Sequence, residues 1–157
     1  MSAPAVIEWR IVVHGTPAPQ GSKRHVGRGI MVESSAKVKP WREAVKWAIW
    51  ENRRLTIDDA GPRPIRADQF AGPVEVTAIF TLPKPASSPK NRRTWPHRRP
   101  DLDKLIRSTL DGIGESGLWK DDAQVVSIHA HKRFPNEGPD ALPHPGAVIY
   151  VVPLEAS

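Results

Sequence analysis

The run Arg99-Pro-Asp-Leu-Asp-Lys-Leu-Ile-Arg-Ser-Thr-Leu-Asp-Gly-Ile113, followed by Gly117-Leu-Trp-Lys-Asp-Asp-Ala-Gln-Val-Val126, sets the layout of the chain. Leu102, Leu105, Ile106, Leu110 and Ile113 recur at helical spacing, which predicts an amphipathic helix over about 102–114, ended by the glycines at 112, 114 and 117. From Ala123 to Arg133 the period becomes two. Val126, Ile128 and Ala130 are expected to face a core, with Ser127, His129, His131 and Arg133 opposite.

Upstream, Val74 to Leu82 alternates as a strand. Pro83 to Pro100 then carries Lys84, Lys90, Arg92, Arg93, Arg98 and Arg99 with no acid, and its prolines exclude both a helix and a central strand. It is expected to be an exposed basic loop. Ile7 to His14 reads as a half-buried strand, and Gly15 to Lys39 as a basic Pro- and Gly-rich loop with a short hairpin around Gly27–Val32. Pro40 suits the first turn of a helix over 40–54 carrying Trp41, Trp47 and Trp50, more apolar surface than one face usually buries. Those tryptophans are assigned to the core or to a dimer contact. Asp58 to Gly72 is a connector, and Ala147 to Val152, apolar on both faces, is a central strand. The expected fold is a single compact α/β or α+β domain over residues 1–157, with a mixed sheet of about four strands and two main helices.

Composition narrows the function. With 157 residues and no cysteine, the chain can bury a core but has no thiol nucleophile, thiolate zinc site or iron–sulfur cluster. Lys+Arg 23 against Asp+Glu 17 gives +6 and a pI near 10.0, a balance that attracts polyanions. No run is apolar enough to span a membrane, and the N-terminus lacks the pattern of a signal peptide, so a cytoplasmic protein is expected.

Against this basic background, Asp101, Asp103, Asp111, Glu115, Asp121 and Asp122 follow directly on the basic loop. Carboxylates repel a phosphate backbone, so acids beside a DNA-binding loop call for a cation between them and the phosphate. Magnesium is the usual one, held by a few carboxylates and water and completed by phosphate oxygens. Asp101 and Asp103 are expected at a helix N-terminus, with the start of the strand at Asp122 returning beside that end. Arg107, four residues after Asp103, can balance the acids or contact a phosphate. The same residues also suit structural roles: a helix cap, an i,i+4 pair and a turn.

The two motifs together resemble the signature of RusA-type Holliday junction resolvases: a D-x-D helix start, a further Asp on that helix, then W-x-D-D-x-Q-V. The likeness runs without a gap over the quoted stretch. More loosely, Gly15 to Arg24 is similar to the family's Pro-rich basic loop. The resemblance implies a homodimeric, Mg2+- or Mn2+-dependent endodeoxyribonuclease that nicks four-way junctions symmetrically in recombination and repair, encoded by bacteria or phages. It places Asp101, Asp103 and Asp122 on the metal-binding catalytic carboxylates. Two positions depart from the family pattern. Lys104 stands where Asn is usual. Arg107 stands where a functional lysine is usual, keeping the charge but unable to give up its proton.

In that reading Lys23, Arg24, Arg28, Lys90, Arg92, Arg93, Arg98, Arg99 and Lys104 contact DNA backbones, and Trp95 or His97 stacks on an unpaired base at the branch point. His129 and His131 share a strand face but lack a third ligand at a telling spacing. The alternatives are a catalytically inactive relative that only binds branched DNA, and a nuclease that prefers flaps or forks.

Overall fold

The computed structural model describes residues 8–21, 23–25, 31–33, 36–55, 57–58, 61–62 and 69–154, with side chains for 8–21, 36–52 and 69–154. In chain order the elements are β1 (Trp9–His14), β2 (Lys23–His25), β3 (Met31–Glu33), α1 (Val38–Leu55), β4 (Ile57–Asp58), β5 (Gly61–Pro62), β6 (Val74–Thr81), α2 (Leu102–Ser116), a 3-10 turn (Asp122–Gln124), β7 (Val125–Arg133) and β8 (Gly146–Pro153). The central sheet has the order β1-β8-β6-β7. β8 lies inside it with Ala147, Val148, Ile149 and Val151 fully buried, which is what a strand apolar on both faces requires.

β6 and β7 pair in parallel, while the other sheet contacts are antiparallel. Parallel neighbours need a long crossover, and here it consists of the basic loop and α2. The topology has a consequence for the acids. α2 begins at the end of the sheet where β6 leaves and finishes at the end where β7 begins. Asp101 and Asp122 therefore sit at opposite ends of the helix.

The two helices pack side by side and run in the same direction. Trp41 Nε1 on α1 donates to Thr109 Oγ1 at 3.1 Å, and further along Trp50 Nε1 donates to the Ser116 carbonyl at 3.0 Å. Between these bonds the helices touch at Gly112, where a Cβ would lie 3.1 Å from both the Arg42 carbonyl oxygen and Val45 Cβ. Leu105 and Ile113 of α2 join Val45, Ile49, Val76, Phe80 and Ile149 in one core. Truncating Leu105 or Ile113 to alanine there costs about 2–5 kcal/mol. The segment after β1 is tied across α2: Gln20 N–H donates to the Lys104 carbonyl at 3.0 Å, and Ser108 Oγ donates to the Ala18 carbonyl at 2.6 Å.

Two expectations need correction. Gly112 and Gly114 do not end α2; they lie within it, and the helix stops at Gly117, whose φ of +83° is the left-handed cap conformation. Val126 and Ile128 are 62% and 41% exposed. Ile128 does share the core side with Val76, its register partner, but β7 is an edge strand that the helices leave partly uncovered. Val126 falls at the bulge opposite Val74 and Glu75. Of the three α1 tryptophans, Trp41 is buried, Trp50 half-buried, and Trp47 half exposed with its ring edge-on to Trp50 at 5.2 Å. β2 and β3 pair antiparallel around the position expected for a hairpin, while residues 26–30, and Ile7 before β1, lie outside the described residues.

Candidate active site

The W-x-D-D-x-Q-V motif folds into a self-bonded turn. Asp121 Oδ1 accepts from the Ala123 N–H at 2.8 Å, and Gln124 Oε1 accepts from the N–H groups of Lys120 and Asp121, so the pair forms a capping box. Gln124 Nε2 reaches back to the carbonyls of Phe70 and Gly72 at 2.7 and 3.0 Å, fixing the turn to the segment before β6. Asp121 is thereby a cap, which leaves Asp122 for other work. Trp119, 1% exposed, donates its indole N–H to Asp122 Oδ1 at 2.8 Å. The same oxygen lies 3.2 Å from where a Cβ would stand on Gly114, so a glycine at that point of α2 lets the carboxylate come close to the helix.

One face of α2 leads to this point. Asp103, Arg107 and Asp111 follow at four-residue intervals, with Gly114 at the end of the row. Asp111 is half-buried, and its carboxyl is pushed above the usual range by burial first and by the Asp122 charge second; Arg42 and Arg107 pull the other way. Arg42, from α1, approaches Asp111 Oδ2 at 3.8 Å and Glu115 Oε1 at 3.9 Å. Two carboxylates thus share a field with two guanidiniums, and burial is the largest contribution to the upward shift at Asp111.

At the other end of α2, Asp101 occupies the N-cap position, yet its side chain makes no cap hydrogen bond. Its exposed carboxylate lies 3.7 Å from Lys104 Nζ, and Asp103 is exposed in the first turn. Gly114, which marks the position of Asp122, lies about 16 Å further along the axis at the ordinary helix rise. The expected return of the second motif beside the helix N-terminus is therefore overturned. Among the described residues, no group of three or more His, Asp or Glu side chains is placed to hold a metal ion. Asp122 and Asp111 are carboxylates at this end of α2, and a magnesium ion is commonly held by only one or two carboxylates, with water and phosphate supplying the rest. One chain does not bring Asp101 and Asp103 to that ion.

The basic loop is exposed but anchored. Lys90, Arg92, Arg93, Arg98 and Arg99 all face solvent. Lys84 does not: its Nζ bonds Glu137 Oε2 at 2.6 Å, both side chains being 15% exposed, and Glu137 Oε1 accepts from the Thr94 N–H at 2.7 Å. These bonds, the one from Lys84 first, hold the Glu137 carboxyl below its ordinary range. Lys132, on β7, donates to the carbonyls of Arg98 and Pro100 at 3.0 Å each and so sets the backbone that leads into Asp101. Arg93 lies over the Trp95 ring at 4.1 Å. Lys104 is half-exposed beside Asp101. The side chains of Lys23 and Arg24, whose backbone forms β2, and the whole of Arg28 lie outside what is described. His129 Nε2 meets Glu75 Oε1 at 2.8 Å, and Ser127 shares that oxygen.

Arg42, Lys132 and Glu137 were not among the residues singled out from the sequence. Each acts from an element remote in the chain, and no local motif marks them. Asp111, by contrast, stands in the quoted run.

A family model described as Endodeoxyribonuclease RusA matches residues 14–141. No curated protein matches the chain. No helix among the described residues is long and apolar enough to cross a membrane.

Proposed function

The chain belongs to the RusA endodeoxyribonuclease family, which implies Holliday junction nuclease activity and binding of junction DNA, and from that premise we propose a divalent-metal-dependent enzyme that resolves four-way junctions by paired symmetric nicks. The biological setting proposed is recombination and repair in the cytoplasm of a bacterium, or under a phage genome. The observation that supports the metal dependence is the approach of Asp122 Oδ1 to α2 at Gly114, about one turn along the same helix face from Asp111.

The proposed carboxylates for the ion are Asp122, Asp101 and Asp103, with Asp111 added by its place next to Asp122. A bound Mg2+ or Mn2+ supplies polarisation of the phosphoryl group and a water of lowered pKa. The chain's own residues do the rest. Arg98 and Arg99 draw the backbone toward the acids, binding structure more than sequence. Trp119 fixes the orientation of Asp122, and Arg107 offers a fixed positive charge to a phosphate.

Paired nicks on a two-fold junction call for a two-fold dimer. If two chains set their α2 faces antiparallel, the Asp103 end of one meets the Asp122 end of the other. Such a homodimer offers the three carboxylates to one ion, which a single chain does not.

A synthetic four-way junction incubated with the protein and Mg2+ or Mn2+ is expected to be nicked at symmetric positions. Asp122→Asn is expected to lose nicking while retaining junction binding. Binding without any nicking in either metal would instead indicate the inactive relative. Competing flaps and forks in the same reaction rank the substrates.

A further inference from the structure

The loop that carries the arginines also encloses space. Leu82, Pro85 and Phe134 wall a cavity of about 460 Å3, with Trp95 in its lining and Arg98 and Arg99 among the residues around it. That volume lies within the range of roughly 300–1,000 Å3 typical of small-ligand sites. The Lys84–Glu137 pair, the Glu137–Thr94 bond and the two carbonyls held by Lys132 anchor the loop at both ends of the cavity. Its prolines stiffen the stretch between them.

The chemistry of the lining is twofold. Apolar walls and a large aromatic ring suit a flat heteroaromatic ring, while guanidiniums suit the phosphate attached to it. Trp95 is 58% exposed, yet Arg93 covers its ring at 4.1 Å and Arg133 stands at 5.8 Å, so the indole is held without being buried. Burial first, and the Arg93 charge next, lower the affinity of Arg133 for its proton, so positive charge around the ring is already crowded. From Pro83 to Pro100 no carboxylate opposes an incoming phosphate. The cavity also ends at Pro100, one residue before Asp101.

We infer that this cavity receives an unpaired nucleobase of the branched DNA, stacked against Trp95, with its phosphate on Arg98 and Arg99. The inference rests on the junction-nuclease reading and deepens it. A base seated there fixes which phosphate of the strand lies next to the acids, so the cavity selects the cleavage position.

The test is direct binding in metal-free buffer, by fluorescence anisotropy, of a single-stranded thymidylate hexamer and of a hexamer with the same backbone and no bases. Wild-type protein is expected to hold the thymidylate about 5- to 150-fold more tightly, the span of base–aromatic stacking. Trp95→Ala is expected to bring that ratio close to one, and Trp95→Phe to keep most of it. Equal affinities for the two hexamers in the wild type overturn the inference, as does a Trp95→Ala variant that weakens both alike. Junction nicking with Mn2+ is scored separately. Base preference without nicking keeps the cavity assignment and removes the nuclease reading, whereas nicking without base preference does the reverse.

Discussion

The indole N–H of Trp119 donates to Oδ1 of Asp122 at 2.8 Å, joining a fully buried ring to an exposed carboxylate three residues later. The buried end anchors the bond and the exposed end is what it aims. Trp119→Phe keeps an aromatic ring in the core but removes the donor. A hydrogen bond to a charged group contributes about 1.5–3 kcal/mol, and the smaller ring adds a packing loss. Junction nicking is therefore expected to fall by more than tenfold with junction affinity within about twofold of wild type, and a modest loss of Tm. Unchanged nicking would show that the aim of Asp122 is irrelevant to the chemistry.

Gly114 tests the same carboxylate from the helix side. Alanine is the better helix former by about 1 kcal/mol, so Gly114→Ala should leave Tm equal or higher. Its Cβ, however, would stand 3.2 Å from Asp122 Oδ1 and push the carboxylate outward by a few tenths of an ångström. The expected result is a protein at least as stable as wild type that binds junctions and nicks them more slowly. Full activity together with raised stability would show that the close approach has no catalytic role.

Asp111 gives the pH dependence. Its carboxyl is raised in the folded state, so between the ordinary aspartate value of about 3.9 and the folded value the native protein holds more protons than the unfolded chain. Stability therefore falls as pH rises through that window and remains lower above it. Asp111→Asn is expected to be more stable than wild type at pH 7, by about 1 kcal/mol or less for a partly exposed group, and to lose that advantage below the ordinary value. Mn2+ or Mg2+ should raise the Tm of wild type at pH 7 more than that of the variant, because the ion binds the folded state only. Thermal melts at several pH values, with and without the ion, decide it; a variant less stable at pH 7 counts against the shared field.

How far the chain could be read in advance follows from the kind of signal each feature leaves. The apolar faces of α2 and β8 are periodic, and period is visible in one dimension. The two motifs were visible as motifs for the same reason. The separation of Asp103 from Asp122 was not, because it depends on β6 and β7 being parallel neighbours, and strand direction leaves no mark on alternation. Once the crossover is parallel, its helix must hold the two motifs apart. Gly112 and Gly114 look like helix stops in sequence because glycine has two uses that look alike there. Here both serve close approach, to the Arg42 carbonyl and to Asp122. The anchoring of the basic loop by Glu137 and Lys132 joins residues far apart in the chain, and only the folded chain reveals it.

That separation of acids leads to the most discriminating prediction. If the ion is held across a two-fold dimer, each site takes Asp103 from one chain and Asp122 from the other. Asp103→Asn and Asp122→Asn should each abolish nicking as homodimers. A mixed dimer of the two variants, co-expressed with different affinity tags and purified through both, then contains one site with both substitutions and one with neither. It is expected to nick a single strand of the junction and to bind about one Mn2+ of that class by titration calorimetry, where each homodimer binds none. Were every site built within one chain, the mixed dimer would carry a lesion in both, and it would be as inactive and as metal-poor as its parents.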